Sequence, residues 1–229
     1  MTIKKTLLVL SSISFILVTL LTTVDLCCFD YDFYEKEYKE IGVAETIGCS
    51  FEDLMDATRI ILDYTQDKRD DMIATETIKG EVREFYNDRE KAHMIDVKDL
   101  YLTAMKVRNI SLIIIVISTI YFIYKKENVL FSLSQIYNKV SLVFLVFLTF
   151  IGIYAASDFN SFWINFHHVF FTKNDYWLLN PKTDLLINMV PEQFFFDLVF
   201  KILIIFVLIF TLSNVACLIK SKKEIEWHD

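Results

Sequence analysis

The sequence predicts an all-α membrane protein with four transmembrane helices and a small extracellular, mainly helical cap that includes a short β-hairpin. Three observations carry this. The 229 residues are 54% hydrophobic and 15% aromatic, with a mean hydropathy of +0.40, richer than the roughly 45–50% apolar content of soluble domains. The apolar residues gather into four runs, Thr6–Cys28, Ile110–Tyr124, Val140–Ala156 and Ile202–Ile219, each near the roughly 20 residues that cross hydrocarbon. Only 4 Gly and 2 Pro are present, which argues against loop-rich and sandwich folds, while 21 Phe and 11 Tyr exclude low-complexity disorder. The net charge of −7 lacks the basic face that nucleic acid requires, so no nucleic-acid partner is expected.

Residues 1–28 form the first span. Lys4-Lys5 precede the run, and Asp25 is its one charge. A basic start also opens a signal peptide, but this run is too long and no A-x-A-like site precedes Cys27, so a retained helix is expected. Asp25-Leu26 are also not the small residues that would precede a lipidated Cys27. Residues 29–108 form the cap. From Asp30 to Arg108 there are 20 acidic and 12 basic residues, a net of −8, in a segment too short for a large core of its own. Ser50 as N-cap with Asp53 at the third position predicts a helix over 51–66. Lys68–Asp71 reads as a solvated turn, and Met72–Tyr86 as a hairpin about Lys79-Gly80. Asn87 or Asp88 caps a new helix near Arg89. That helix either runs into the second span or lies along the interface and bends near Arg108-Asn109.

The second span occupies 109–125 and holds the shortest run, lengthened by snorkelling of Arg108 and Lys125. A cytoplasmic loop follows at 126–138, the third span at 139–157, an extracellular aromatic-rich segment at 158–196, the fourth span at 197–219 and a cytoplasmic tail at 220–229. Lys4-Lys5, Lys125-Lys126 and Lys220–Lys223 fall on one side of a four-span chain. The positive-inside rule makes that side cytoplasmic, with both termini inside and the cap outside. The chain is therefore expected in a membrane, in contact with lipid.

Three histidines are external; His228 sits in the polar tail and is expected to be inert. On a helix, His93 shares a stripe with Val97, Leu100, Ala104 and Val107, and Asp96 stands three residues on, placed to accept a hydrogen bond from it. His167 shares a face with Trp163, Phe170 and Phe171, whereas His168 points about 100° away, so the neighbours have different jobs. Two readings stand for each: a packed or interfacial imidazole satisfied by neighbouring polar groups, or a proton-transfer group near its titration range. His93, His167 and Asp184 lack metal-ligand spacing, so no metal is expected. No G-x-S-x-G elbow or Gly-rich phosphate loop is present. A transporter would need more ionisable residues inside its spans than Asp25. A sensor or accessory protein whose cap binds a partner remains the non-enzymatic alternative; it predicts that the external histidines are replaceable.

Two motif regions carry a resemblance. One is Phe166-His167-x-x-Phe170-Phe171, then Trp177-Leu-x-Asn-Pro181-x-Thr-Asp184-x-Leu-Ile187 and Pro191-Glu-x-Phe-Phe195. The other is Glu90-x-x-His93-Met94-x-Asp96-Val97-Lys98. Together they resemble the lipoprotein intramolecular transacylases, small bacterial integral membrane proteins. The motifs cover about a quarter of the chain, and the four-span layout accounts for the rest. The resemblance implies a substrate, the diacylated bacterial lipoprotein. It also implies a reaction: the sn-2 acyl chain of the diacylglyceryl group moves to the α-amino group of the same N-terminal Cys, giving a lyso-form lipoprotein. It implies two catalytic histidines, which map onto His93 and His167. His167 is preferred to His168 because Phe166 and Phe170-Phe171 keep the motif's order around it. Asp96, Trp163, Phe166, Phe170, Phe171 and Trp177 are the candidate substrate-binding residues. Arg89, Glu90, Lys98 and Asp184 are further candidates, with plain surface charge as the competing reading.

The chemistry explains why such residues would be needed. Attack of the amine on the ester carbonyl closes an eight-membered ring, which forms poorly in solution. Folding the substrate into an attacking geometry can contribute up to about 7–11 kcal/mol, and stiff aromatic walls suit that task. An α-amino group with a pKa of roughly 7.7–8 must also lose a proton, and acid–base help of this kind is worth about 10²–10⁴-fold. His167 is expected as the base, with Asp96 orienting His93. An acyl-imidazole intermediate is the competing route. No cofactor, nucleotide or external acyl donor is required, because donor and acceptor travel on one molecule.

Overall fold

A computed structural model describes residues 2–226, with side chains through residue 219. His228 lies outside the described residues, as do the side chains of Lys220–Lys223. In chain order the elements are α1 (Ile3–Cys28), α2 (Tyr31–Ile41), α3 (Val43–Ile47), α4 (Phe51–Thr65), β1 (Thr75–Ile78), β2 (Glu81–Glu84), α5 (Asp88–Tyr124), α6 (Leu130–Ser157), α7 (Phe159–Phe170), α8 (Leu186–Met189) and α9 (Glu192–Glu226). They divide into two compact units.

The first unit comprises Met1–Asp25, Ala104–Asp158 and Phe200–Asp229. Its segments belong to α1, α5, α6 and α9, the four helices among the described residues that are long and apolar enough to cross a membrane. Ile16, Tyr137, Phe206 and Phe210 form its buried centre, with Phe144 and Leu148 packed against them. Large apolar side chains such as Ile113, Ile120, Val143, Phe150 and Leu212 face outward. In water they would form a costly apolar surface; hydrocarbon removes that cost. Some of its polar groups pair with one another. The Tyr137 and Ser213 hydroxyls meet at 2.7 Å, and Arg108 reaches Asp25 at 2.7 Å.

Two boundaries differ from the hydropathy reading. The segment 126–138, expected as a loop, is helical from Leu130 onward, so only residues 125–129 connect α5 to α6. Phe131, Ser134, Tyr137 and Ser141 recur at helical spacing there, and Ser134, Tyr137 and Ser141 are buried. Hydropathy marks the length that meets lipid, whereas hydrogen bonding carries a helix past it. The same reason starts α9 at Glu192, ahead of the expected 197. Of the two alternatives for the helix beginning near Arg89, the unbroken one holds, since α5 runs through Arg108-Asn109 to Tyr124.

The second unit comprises Leu26–Thr103 and Phe159–Val199. Amphipathic α2 buries Phe33, Tyr34 and Tyr38, whose rings lie 5.4, 4.9 and 5.7 Å from the fully buried Phe194 ring. Helix α4 occupies the expected stretch, and the Asp53 N–H donates to Ser50 Oγ at 3.0 Å as the cap pattern requires. Its Leu54, Ala57 and Ile61 are buried, and Tyr86, also fully buried, donates its hydroxyl proton to the Ala57 carbonyl at 2.9 Å. The hairpin pairs Thr75 with Glu84 and Ile78 with Glu81. Lys79 and Gly80 turn it with φ of 53° and 84°, the paired positive values of a two-residue type I′ turn.

Candidate active site

Helix α5 begins with a reciprocal cap. The Asn87 side-chain oxygen accepts from the backbone N–H groups of Arg89 and Glu90 at 2.9 and 3.1 Å. Glu90 Oε2 in turn accepts from the Asn87 N–H at 2.7 Å, the geometry of a capping box. The same two residues reach the segment before α8. Asn87 Nδ2 donates to Asp184 Oδ1 at 2.9 Å, and the Leu186 N–H donates to Glu90 Oε1 at 2.5 Å. Asp184 also accepts from the Asn180 N–H and the Thr183 hydroxyl. These bonds join the first turn of α5 to residues 180–186 and set the position of His93, one turn beyond Glu90.

The protonation of the two carboxylates follows from these contacts. Glu90 has no exposed surface. Burial raises its pKa, partly opposed by the N–H bonds, and the Asp184 charge pushes in the same upward direction. Burial also works to raise that of Asp184, but its hydrogen bonds from Asn180, Thr183 and Asn87, with the charge of Arg89, hold it below the usual carboxylate value. Neither side chain is the surface charge that was one reading of it; both are buried ties. Arg89 instead donates to the Asp175 carbonyl. Lys98 pairs with Asp67 at 2.7 Å and lies over the Tyr64 ring.

His93, on α5, and His167, on α7, come together with ring centroids 5.9 Å apart and planes at 34°. Both are buried, each 8% exposed. Phe171 contacts both rings, at 5.2 and 5.4 Å. Trp163, Phe166 and Trp177 surround His167 at 5.0, 5.8 and 5.0 Å. Phe170 touches Phe166 at 4.6 Å and is half exposed, so it lies at the rim. Phe195 backs Trp163 at 4.2 Å; the sequence reading quoted it in the motif without giving it a place in the wall. His168 is exposed and packs edge-on against Trp177 at 4.9 Å. The helical turn thus separates the two neighbours, one buried beside His93 and one outside.

The ring atoms are distinguishable. His167 Nδ1 lies 2.8 Å from the Trp163 carbonyl, which can only accept. Nδ1 therefore carries the proton, and in the neutral ring Nε2 keeps its lone pair. Loss of hydration on burial lowers the His167 pKa, opposed by that carbonyl bond and aided by nearby His168. Burial lowers His93 further, to about 4, with His167 acting in the same direction and Asp96 opposing. Both imidazoles are neutral at pH 7. The expected His93–Asp96 hydrogen bond does not form among the described residues. Asp96 Oδ2 accepts instead from Asn174 Nδ2 at 2.9 Å. A residue three positions along a helix is near, but side-chain direction decides the bond, and nothing in the local sequence marks Asn174 as the competitor.

Neutral His167 Nε2 can accept a proton, the His93 ring can donate or accept one, and stacked aromatic rings can hold an apolar chain rigidly beside them. The family model for "Lipoprotein intramolecular transacylase Lit" matches residues 9–195. Among solved structures, the chain resembles that of the membrane integral lipoprotein intramolecular transacylase Lit from Bacillus cereus, with 18% identity, a TM-score of 0.75, and 98% of this chain and 97% of that one covered. A histidine-to-arginine variant of the same protein gives 17% identity, a TM-score of 0.72 and coverage of 96% and 94%. At such identities the likeness is one of fold. No curated protein matches by sequence. The motif order, the four spans and the family match over most of the chain lead to one conclusion: this protein belongs to the lipoprotein intramolecular transacylase family Lit and is a membrane acyltransferase.

Proposed function

We propose that the protein moves the sn-2 acyl chain of a lipoprotein's diacylglyceryl group to the α-amino group of the same molecule's N-terminal Cys, with His167 as general base and His93 as its partner. The observation that carries the reading is the pair of buried imidazoles 5.9 Å apart, enclosed by Phe171, Trp163 and Trp177.

The free amine attacks the ester carbonyl carbon and closes the eight-membered ring. The new bond is N–C; the bond that breaks joins the carbonyl carbon to the glyceryl C2 oxygen. His167 Nε2 takes the proton that the nitrogen sheds and returns it to the departing oxygen, which leaves as a hydroxyl. Protons therefore balance within the transfer. His93, with its pKa near 4, serves as a neutral N–H donor to the carbonyl oxygen as negative charge develops. A donor held in a dry site does this at low reorganisation cost. Trp163, Phe166, Phe170, Phe171 and Trp177 hold the acyl chains, and Asp96 orders the adjoining Asn174 segment.

The proposed topology puts the cap outside and both termini in the cytoplasm. Supporting it, Lys4 and Glu127 pair at 2.7 Å within the first unit, so the start of α1 and the α5–α6 connection share one end, the end rich in lysine.

Mass spectrometry of a diacylated lipoprotein's N-terminal peptide tests the reaction. With the protein present, the peptide should acquire an N-acyl group at constant total mass. No mass change combined with a blocked amine is the required signature; a free amine after incubation would overturn the proposal. Direct transfer further predicts that no acyl-His peptide accumulates in a single turnover.

A further inference from the structure

The second unit holds another concavity, of about 420 Å³, lined by Lys79, Arg83 and Lys182, with Thr46, Thr183 and Asn188 among its remaining walls. No acidic side chain lines it. None of its three cations has an ion-pair partner among the described residues. Two of them, Lys79 and Arg83, lie in the 30–108 segment of net charge −8, where acids are plentiful. Three like charges facing one space repel each other, and an anion placed among them would remove that cost.

The placement of Lys79 has a cost of its own. It occupies the first position of a type I′ turn, with φ of 53°, where Asn, Asp or Gly is preferred. Its N–H donates to the Gly48 carbonyl at 2.6 Å. Its stem crosses Gly48 so closely that a Cβ there would lie 2.8 Å from Lys79 Cγ. The neutral lining narrows the ligand. Thr46 Oγ1 already donates to the Gly42 carbonyl, and Thr183 Oγ1 to Asp184. Asn188 Nδ2 is spent on the Pro181 and Asp184 carbonyls. Both threonine oxygens therefore retain only acceptor capacity. A complementary ligand brings negative charge for the cations and hydroxyl donors for the threonines. A volume of 420 Å³ falls at the small end of the ligand-pocket range of about 300–1,000 Å³.

We propose that this pocket binds a glycerophosphoryl group, its phosphate held by Lys79, Arg83 and Lys182 and its glycerol hydroxyls donating to Thr46 and Thr183. The group occurs both as the headgroup of an anionic phospholipid and in soluble glycerol phosphates. The pocket shares no lining residue with the two-histidine site.

The test uses the full-length protein in an uncharged detergent. Binding of sn-glycerol 3-phosphate is measured by titration calorimetry, and binding of phosphatidylglycerol against phosphatidylcholine by native mass spectrometry. Each is repeated with the variant Lys79→Gln/Arg83→Gln/Lys182→Gln and with the control Lys36→Gln/Lys39→Gln/Lys68→Gln, which removes the same charge elsewhere in the unit. At least a tenfold loss in the first variant and none in the control is expected, with transacylation retained in both. Binding of both probes assigns the shared group; binding of one alone assigns the lipid or the soluble source. Absence of saturable binding by either probe, persistence in the first variant, or equal loss in the control overturns the proposal.

Discussion

Burial governs the chemistry of individual residues here. The His93 pKa of about 4 and the lowered value of His167 both arise first from lost hydration. In the unfolded chain each returns to roughly 6.5. Between those limits the unfolded state binds more protons, so stability is fully present above about pH 6.5 and is lost as pH falls towards 4. For His93 alone this amounts to about 3 kcal/mol, and denaturant midpoints measured across that window should fall accordingly. The loss should shrink in His93→Phe. Activity has the same sign on its acid limb, since protonation removes the base at His167. Replacing His93 or His167 by Ala should each lower turnover by about 10²–10⁴-fold. His168→Ala should retain most activity, because that ring is exposed and meets only Trp177. Equal loss at His168, read by the same peptide assay, would exchange the roles of the neighbours. Sequence spacing gave both faces of this helix but left open which neighbour was buried, since burial depends on what packs against α7.

At the level of elements, α5 begins and is anchored at one place. Asn87→Ala removes acceptors for two helical N–H groups and the bond to Asp184. A cap of this kind is worth about 1–2 kcal/mol, so the midpoint of thermal unfolding in detergent should fall. Turnover should fall as well, because His93 rides on the same two turns. The start of α5 is legible in the sequence as a cap at Asn87 or Asp88, as Ser50 with Asp53 marks the start of α4. The second half of the arrangement, Glu90 to Leu186 and Asn87 to Asp184, spans nearly a hundred residues and leaves no local pattern. Gly48 offers a second check. With φ of 83° and no room beside Lys79, Gly48→Ala should cost about 1–2 kcal/mol, measured as a lower unfolding midpoint.

For the whole molecule, four long apolar helices require lipid, and their outward Ile, Val, Leu and Phe side chains have no other solvent that stabilises them. The protein should therefore stay with membranes through high-salt and alkaline washing and be released only by detergent. Single cysteines introduced at Glu127 and at Tyr176 should react with an impermeant thiol reagent from opposite sides of sealed vesicles, after the native cysteines are replaced. Labelling of both from one side would overturn the proposed topology.

Hydropathy and cap patterns by themselves determined the number of spans, the start of α4 and the turn at Lys79-Gly80. These follow from composition and from interactions within a few residues, which any chain segment carries with it. Only the tertiary structure decided that His93 and His167 meet, that Asp96 turns to Asn174, that Glu90 and Asp184 are buried ties, and that Lys79, Arg83 and Lys182 face one space. Each of those contacts joins residues distant in sequence, and its energy depends on desolvation and direction, which arise only when separate elements pack.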